Sequence, residues 1–433
     1  MWLGAGRHTE PAGNSLSIGF ALAAIATFVR IGYVHEILVV VTGIKLYLLY
    51  VFGMPALAAV VISGGIPRVF RGRPAFYWTA FALWITLAIP FSSWMGGSAR
   101  VVSGYLKVGP AVLFTIAGLT ITWRECKGMM WAFACAAIPS LAAGRFLDTI
   151  AGGRLMLDFG SIQNANDYAA HLLFLLPFLL WVVLGSRSLV LRLLALSGGG
   201  LGIYLILRTA SRGAAVALLV GVAFFLWRGT TRQRIVLLGL APVALAVLVA
   251  IVPQNAWDRI RALSASGGYS AISREAAASE NMRRYLLEKS MTYALEHPFF
   301  GVGPGLFSDY EGGHERIIGT HGSYYVPHNT YTQVASECGF PALLLVVAGV
   351  VSTLRLLNST YREARRRSDC QDIRLATFCV MLTVIIFCTA ATFLSLAYTF
   401  YLPAMAGLAV AIGSAAKREF ASRTPSGSAT WTG

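Results

Sequence analysis

The sequence predicts an all-α integral membrane protein with about 12 transmembrane helices and one large external loop between helices 9 and 10. Composition is the first reason. Of 433 residues, 56% are hydrophobic and 12% charged, with a mean hydropathy of +0.66, whereas a soluble domain is about a quarter charged. Length is the second, since a spanning helix needs about 20 mostly apolar residues and the chain holds many such runs. Third, the runs are uninterrupted rather than alternating, which reads as helices and not as barrel strands.

Taken in order, the candidate spans cover residues 14–33, 37–62, 76–95, 101–121, 128–146, 168–185, 188–207, 212–228, 235–253, 329–353, 375–394 and 396–415. The first follows Arg7 with no small-residue cleavage pattern and is read as a retained anchor. Lys45 and Lys107 fall inside two spans, which keeps a transporter or a flippase of lipid-linked oligosaccharides as the non-enzymatic reading. No similarity between the two halves supports it. The organisation follows: N-terminal helices (1–207), a core of 208–353 containing the loop 254–328, C-terminal helices (354–415) and a polar tail (416–433).

Basic residues set the orientation. Alternate connections carry 19 of the 35 Lys and Arg, from Arg68, Arg71 and Arg73 through Arg355–Arg374 to Lys417, Arg418 and Arg423. The positive-inside rule then puts both termini in the cytoplasm. The formal charge of +16 is this signal together with attraction to anionic lipid heads. It does not point to nucleic acid, because no soluble basic domain with interleaved aromatics is present. The loop 254–328 lies outside and balances seven basic residues against eight acidic ones. Connections of this length usually bind or cover something. The six cysteines avoid that loop and form no CxxC pair, so neither a disulfide framework nor a thiolate zinc site is expected.

Inside the loop, RRYLLEKSMTYALEH reads as a helix with Leu287, Met291, Ala294 and Leu295 as its apolar stripe, Ser279 as its cap and His297–Pro298 as its end. Arg283 continues the stripe toward the membrane mouth; Arg283 and Arg284 can equally pair with Glu280 and Glu288. Gly301-Val-Gly-Pro-Gly305 permits a tight turn, and more remotely a phosphate-cradling nest. His297, His314, His321 and His328 are separated by helix-breaking glycines and a proline, so no metal site is expected. His328 stands apart at the start of a span, where Asn329 or Thr330 can cap a helix. The positive end of that helix favours a neutral imidazole able to accept a proton; a structural histidine is the alternative.

Arg208 and Arg212, in TASRGAAVALLVG, break the positive-inside pattern. An arginine near the bilayer is functional by default, and its fork matches a carboxylate or phosphate; headgroup snorkelling is the other reading. In DFGSIQNANDYAAHLL, Asp158, Gln163, Asn164, Asn166 and Asp167 suit helix capping and sugar hydroxyls equally. Asn329 and Gln333 beside His328 are further candidates for glycan or acceptor contact.

Three blocks together resemble the O-antigen ligase and polymerase superfamily of bacterial membrane glycosyltransferases. They are TASRGAAVALLVG, the arginine helix running into HPFFGVGPGLF, and PHNTYTQVASECGFPALLL. The resemblance covers Arg208 to Val347, and the span layout agrees over the remainder. It implies a metal-independent, inverting transfer of a glycan from undecaprenyl pyrophosphate to a glycolipid or lipid-linked acceptor. It further implies that the transfer takes place at the periplasmic face of the inner membrane, with no cofactor. Arg212 corresponds to the arginine that meets the donor pyrophosphate. Arg283 fits the second such arginine, Arg284 is one residue off, and the family's tryptophan four residues after it is Leu287 here. His328 corresponds to the histidine that activates or orients the acceptor hydroxyl. The blocks do not separate a ligase, which uses lipid A–core as acceptor, from a polymerase or a protein O-glycosylating transferase.

Overall fold

A computed structural model describes residues 17–151, 153–162, 164–231, 234–235, 239, 271–317 and 324–423, with backbone alone for 271–279 and 314–317. It is 79% helix and 2% strand. Helix α1 (Ile18–Ile31) starts at Ser17, whose Oγ accepts from the Phe20 N–H at 3.1 Å, and meets α2 (Val34–Thr42) at a 60° bend. Gly43 then turns left-handed (φ 73°) and ends α2, and α3 begins only at Leu48 and runs to Ile62. The expected span 37–62 is therefore two helices, and Lys45 sits in the break rather than within a span.

The short α4 (Gly65–Val69) leads to α5 (Arg73–Leu87), which stops sooner than expected. Pro90 lacks the N–H a continuing helix needs, and a 3-10 turn over Ile89–Phe91 leads to α6 (Met95–Leu119). A capping box of Thr122 and Glu125 opens α7 (Trp123–Phe146). An antiparallel hairpin follows, β1 (Asp148–Ala151) pairing with β2 (Arg154–Leu157), and then α8 (Ala165–Gly185), α9 (Leu189–Arg208) and α10 (Arg212–Arg228). The expected span 235–253 lies almost wholly outside the described residues. Beyond it come α11 (Ala271–Glu296), α12 (Phe307–Ile317), α13 (Thr330–Arg365), α14 (Gln371–Ala391) and α15 (Tyr401–Ser422).

Among the described residues six helices are long and apolar enough to cross a bilayer, namely α6, α7, α8, α9, α13 and α14, or seven if α1 and α2 form one bent span. The others expected to span are shorter, α3 and α5 having 15 residues and α10 having 17. The exception is α15, which includes Lys417 and Arg418.

At the centre stands α15, packed by α5, α6, α7, α13 and α14, with every residue from Tyr401 to Gly413 buried. Gly407 makes one approach possible, since a Cβ there would lie 2.9 Å from the Leu113 carbonyl oxygen of α6. The bundle has two rims. One carries most of the basic residues and is tied by Arg228 to Asn358 (2.8 Å), Arg367 to the Phe420 carbonyl (2.7 Å) and Arg423 to the Asp369 carbonyl (2.6 Å). The opposite, polar rim gathers the α1–α2 bend, the hairpin, the α9–α10 turn, α11 and the start of α13. Ser161 binds Glu36 there (2.7 Å) and Ser93 binds the Val302 carbonyl.

Helix α13 is broken at Gly339, whose φ of 80° and ψ of 172° are far from helical, and Pro341 follows. A break exposes carbonyls that must find partners inside a membrane protein. Val302 and Gly303 N–H groups donate to the Ser336 and Glu337 carbonyls at 2.8 and 3.0 Å, and the Trp84 indole to that of Cys338 at 3.0 Å. In return the Phe340 N–H donates to the Pro298 carbonyl at 2.8 Å.

Candidate active site at the polar rim

Three glycines make the loop at this break. Gly301, Gly303 and Gly305 all have positive φ (66°, 123° and 75°), and a Cβ on Gly301 would stand 2.2 Å from the Glu337 backbone. Glu337, fully buried, completes the joint. It accepts from the Tyr398 hydroxyl (2.7 Å) and from the Gly305 and Phe307 N–H groups (3.1 and 3.4 Å). The loop's N–H groups at Val302, Gly303, Gly305 and Phe307 thus all have protein acceptors. This is a clasp, the plain-turn reading, and not an anion nest.

The clasp positions α11, whose Leu286 and Tyr293 pack on Val302 and Phe307. Tyr285 and Tyr293 both donate to the buried Glu311 carboxylate of α12, and burial together with Glu311 pushes the Tyr293 hydroxyl's pKa up. Two expectations change here. The helix begins at Ala271, so Ser279 lies inside it and is no cap. The buried face is Leu286, Ser290, Tyr293 and Ala294, while Leu287, Met291 and Leu295 are exposed. A period of 3.6 residues admits two adjacent stripes, and the one carrying hydroxyls is buried because each hydroxyl has an acceptor. Arg283 stays on the inner side, three residues before Leu286.

A small cavity results, bounded by Arg283, Asn166, Ser211, Gly213 and Phe393. Ser211 caps α10, and Ala210 before it holds a left-handed φ of 49°, a strained conformation for a residue with a Cβ. Gly213 must be small, because a Cβ there would lie 2.7 Å from that of Phe393. The Ser-Arg-Gly sequence thereby places Arg212 at the first turn of α10, where its guanidinium lies 3.7 Å from Glu280. Arg283 is close enough for the charges of Arg212 and Glu280 to act on it; burial, then Arg212, lowers its pKa. His328 completes the group. Its φ is 54°, its N–H donates to Ser395 Oγ at 2.9 Å, and Asn329 caps α13 beside it, Oδ1 accepting from Tyr331 and Thr332. Its pKa is lowered, first by burial and then by Arg283. The neutral imidazole expected from the sequence follows, although burial and Arg283, rather than the helix end, are its causes.

The remaining candidates separate. Arg208 pairs with Asp148 of the hairpin at 3.9 Å. Arg284 is exposed and pairs with Glu288 at 3.0 Å, away from the cavity. Asn166 faces the cavity, whereas Asn164 is the cap of α8, accepting from Asn166 and Asp167 at 2.9 Å. Gln333 turns into the bundle, where Oε1 accepts from the Ala397 N–H at 3.3 Å, so it is not placed to touch a glycan. Asp158 is exposed, and Gln163 and His321 lie outside the described residues. His297 faces Tyr310, its Nε2 3.3 Å from the hydroxyl. Among the described residues no group of three metal-ligating side chains occurs.

One contributor was not singled out from the sequence. Arg154, on β2, donates from Nε to the Thr209 carbonyl (2.8 Å) and from Nη2 to Asn166 Oδ1 (2.7 Å), tying the α9–α10 turn to α8. It breaks the positive-inside pattern as Arg208 and Arg212 do, and the same test would have found it.

A small cavity lined by one arginine at the rim of a bundle, with a second arginine and an imidazole of lowered pKa near it, is suited to stabilising a departing diphosphate while a hydroxyl is deprotonated. Residues 197–347 match the sequence profile of the O-antigen ligase family. That segment belongs to the O-antigen ligase and polymerase superfamily. The matched segment contains α10, the clasp, Arg212, Arg283 and His328, but only part of the cavity wall; Asn166, Ala170, Phe393 and Leu394, like Arg154, come from outside it. No curated protein matches the chain.

Proposed function

We propose that this protein is an inner-membrane glycosyltransferase that moves an O-antigen or related surface glycan from undecaprenyl pyrophosphate to a lipid-borne acceptor such as lipid A–core. The observation that supports the reading is that Arg283, which lines the cavity, is close enough to interact with both Arg212 and His328, though the three come from separate stretches of chain. The polar rim would then face the periplasm, in keeping with the positive-inside rule.

In this mechanism the donor's diphosphate displaces Glu280 from Arg212 and is shared with Arg283. His328 accepts the proton of the acceptor hydroxyl as that oxygen attacks the anomeric carbon from the face opposite the diphosphate. A carbon–oxygen bond to the acceptor forms, the anomeric carbon–phosphate oxygen bond breaks, and configuration inverts. The transition state is oxocarbenium-like, and the charge growing on the leaving diphosphate is met by guanidinium groups fixed beforehand. Asn166, held by Arg154, is the candidate contact for sugar hydroxyls.

The test is a strain lacking the gene, complemented with the wild-type protein or with Arg212→Ala or His328→Ala, with the surface glycan analysed. The proposal expects full-length chains left on undecaprenyl carrier in the deletion and in both variants, each variant reaching the membrane at normal level. A single repeat on the core would make the protein a polymerase instead. Normal transfer by a variant would remove that residue from the mechanism.

A further inference from the structure

Away from the cavity just described, α1, α3 and α6 enclose a trough of about 580 Å³. Its walls are largely apolar, formed by side chains such as Met54, Leu57, Leu106 and Val108, and Met54 is 59% exposed. Two cations line it, Arg30 and Lys107, and among the described residues no carboxylate does. Lys107 sits at the middle of α6, is exposed, and has no hydrogen bond or ion pair among the described residues. Arg30 is mostly buried, its guanidinium 4.6 Å from the Phe400 ring centre and 4.0 Å from Glu36, and its Nε is buried with no partner. A lysine within a spanning helix and an arginine lining one apolar trough call for an anion with a hydrocarbon tail.

We propose that this trough binds an anionic phospholipid, its phosphate held between Arg30 and Lys107 and one acyl chain lying along Met54, Leu57 and Leu106. The trough is wide because Gly53 and Gly104 both line it, and a Cβ on either would meet nothing within 4 Å. Those two positions can therefore be enlarged to fill the trough without disturbing the packing or either cation.

The experiment is native mass spectrometry of the full-length chain in detergent with equimolar phosphatidylglycerol and phosphatidylcholine. The wild type should retain phosphatidylglycerol about tenfold over phosphatidylcholine, on the scale of one good charge-assisted contact. Lys107→Gln should bring the ratio most of the way to parity. The paired Gly53→Leu and Gly104→Leu variant should lose the bound lipid with both cations in place. Parity in the wild type, or an unchanged ratio in Lys107→Gln, would show that the lysine merely reaches up to the membrane surface and would overturn the site. Retention of undecaprenyl phosphate in preference to phosphatidylglycerol would also overturn it, by making the trough a carrier-lipid site.

Discussion

The clasp at residues 298–307 and the cavity around Arg212 share one rim, yet they use their polar groups in opposite ways. In the clasp, Glu337 is buried with three donors upon it, and the glycine N–H groups all have backbone or carboxylate acceptors. Around the cavity, Arg212 is one third exposed and its carboxylate partner Glu280 is 70% exposed at 3.7 Å. A pair that open contributes only about 0–1 kcal/mol, weak enough for the diphosphate of the proposed mechanism to displace it. The contrast separates a joint from the proposed binding site: saturation marks the first and loosely held charge marks the second.

The strongest way to break this contrast is through the cavity's charged groups. Arg212→Ala and Arg283→Ala should each lower transfer by about 10²–10³, the usual loss on removing one transition-state contact, measured with a labelled polyprenyl-linked donor in proteoliposomes. Arg284→Ala should leave the rate near wild type; equal losses at positions 283 and 284 would contradict the burial pattern of α11. His328→Ala should cost about 10²–10⁴, and a rate within threefold of wild type would leave it a structural residue.

Next in size is the clasp. Glu337→Leu would leave the Phe307 N–H without an acceptor, and the Gly305 N–H and Tyr398 hydroxyl with only each other and Cys338 Sγ, a loss of at least about 1–3 kcal/mol, the cost of one unpaired group. It should appear as a marked fall in thermal midpoint in detergent. An unchanged midpoint would mean that the loop is held by something else.

A smaller effect concerns pH. Burial and Arg283 hold the His328 pKa below its ordinary 6.5, so its neutral form and the stability tied to it are present above 6.5. Both are lost as pH falls through the lower, folded-state value. The kcat/KM profile should therefore stay flat through pH 6.5 and decline only beneath it; an acid limb centred above 6.5 would contradict the burial of this imidazole. Smallest of all, Glu280→Gln should lower KM for the donor by a few-fold, since it removes the carboxylate competing for Arg212. A raised KM would instead make Glu280 part of donor binding.

Much of this was legible in the sequence, for identifiable reasons. Arg208 and Arg212 stood out because charge placed against a topology rule is visible without coordinates, and His328 because Asn329 and Thr330 beside it mark the start of a span. The broken span at residues 43–47 was not, since Gly43, Ile44 and Leu46 read as an apolar run and the left-handed turn leaves no hydropathy signal. Glu337 was hidden inside PHNTYTQVASECGFPALLL, where a lone acid near a helix start looks like an ordinary surface residue. Only the approach of Tyr398 and the glycine loop, from 61 and 32 residues away in the chain, gives it a role. The stripe on α11 was misplaced by one residue, because apolar side chains alone do not reveal that Glu311 awaits two tyrosine hydroxyls.

The fracture at Gly339 has a mechanical consequence. As one unbroken rod, the 36 residues of α13 would extend about 54 Å, and every rocking motion of its lipid-facing shaft would be levered into a swing of the imidazole at its tip. Severed at Gly339 and bolted to the rigid loop beside it, the short segment from Thr330 to Cys338 is insulated from that shaft. The membrane can flex around this protein without jarring the groups proposed to meet the sugar.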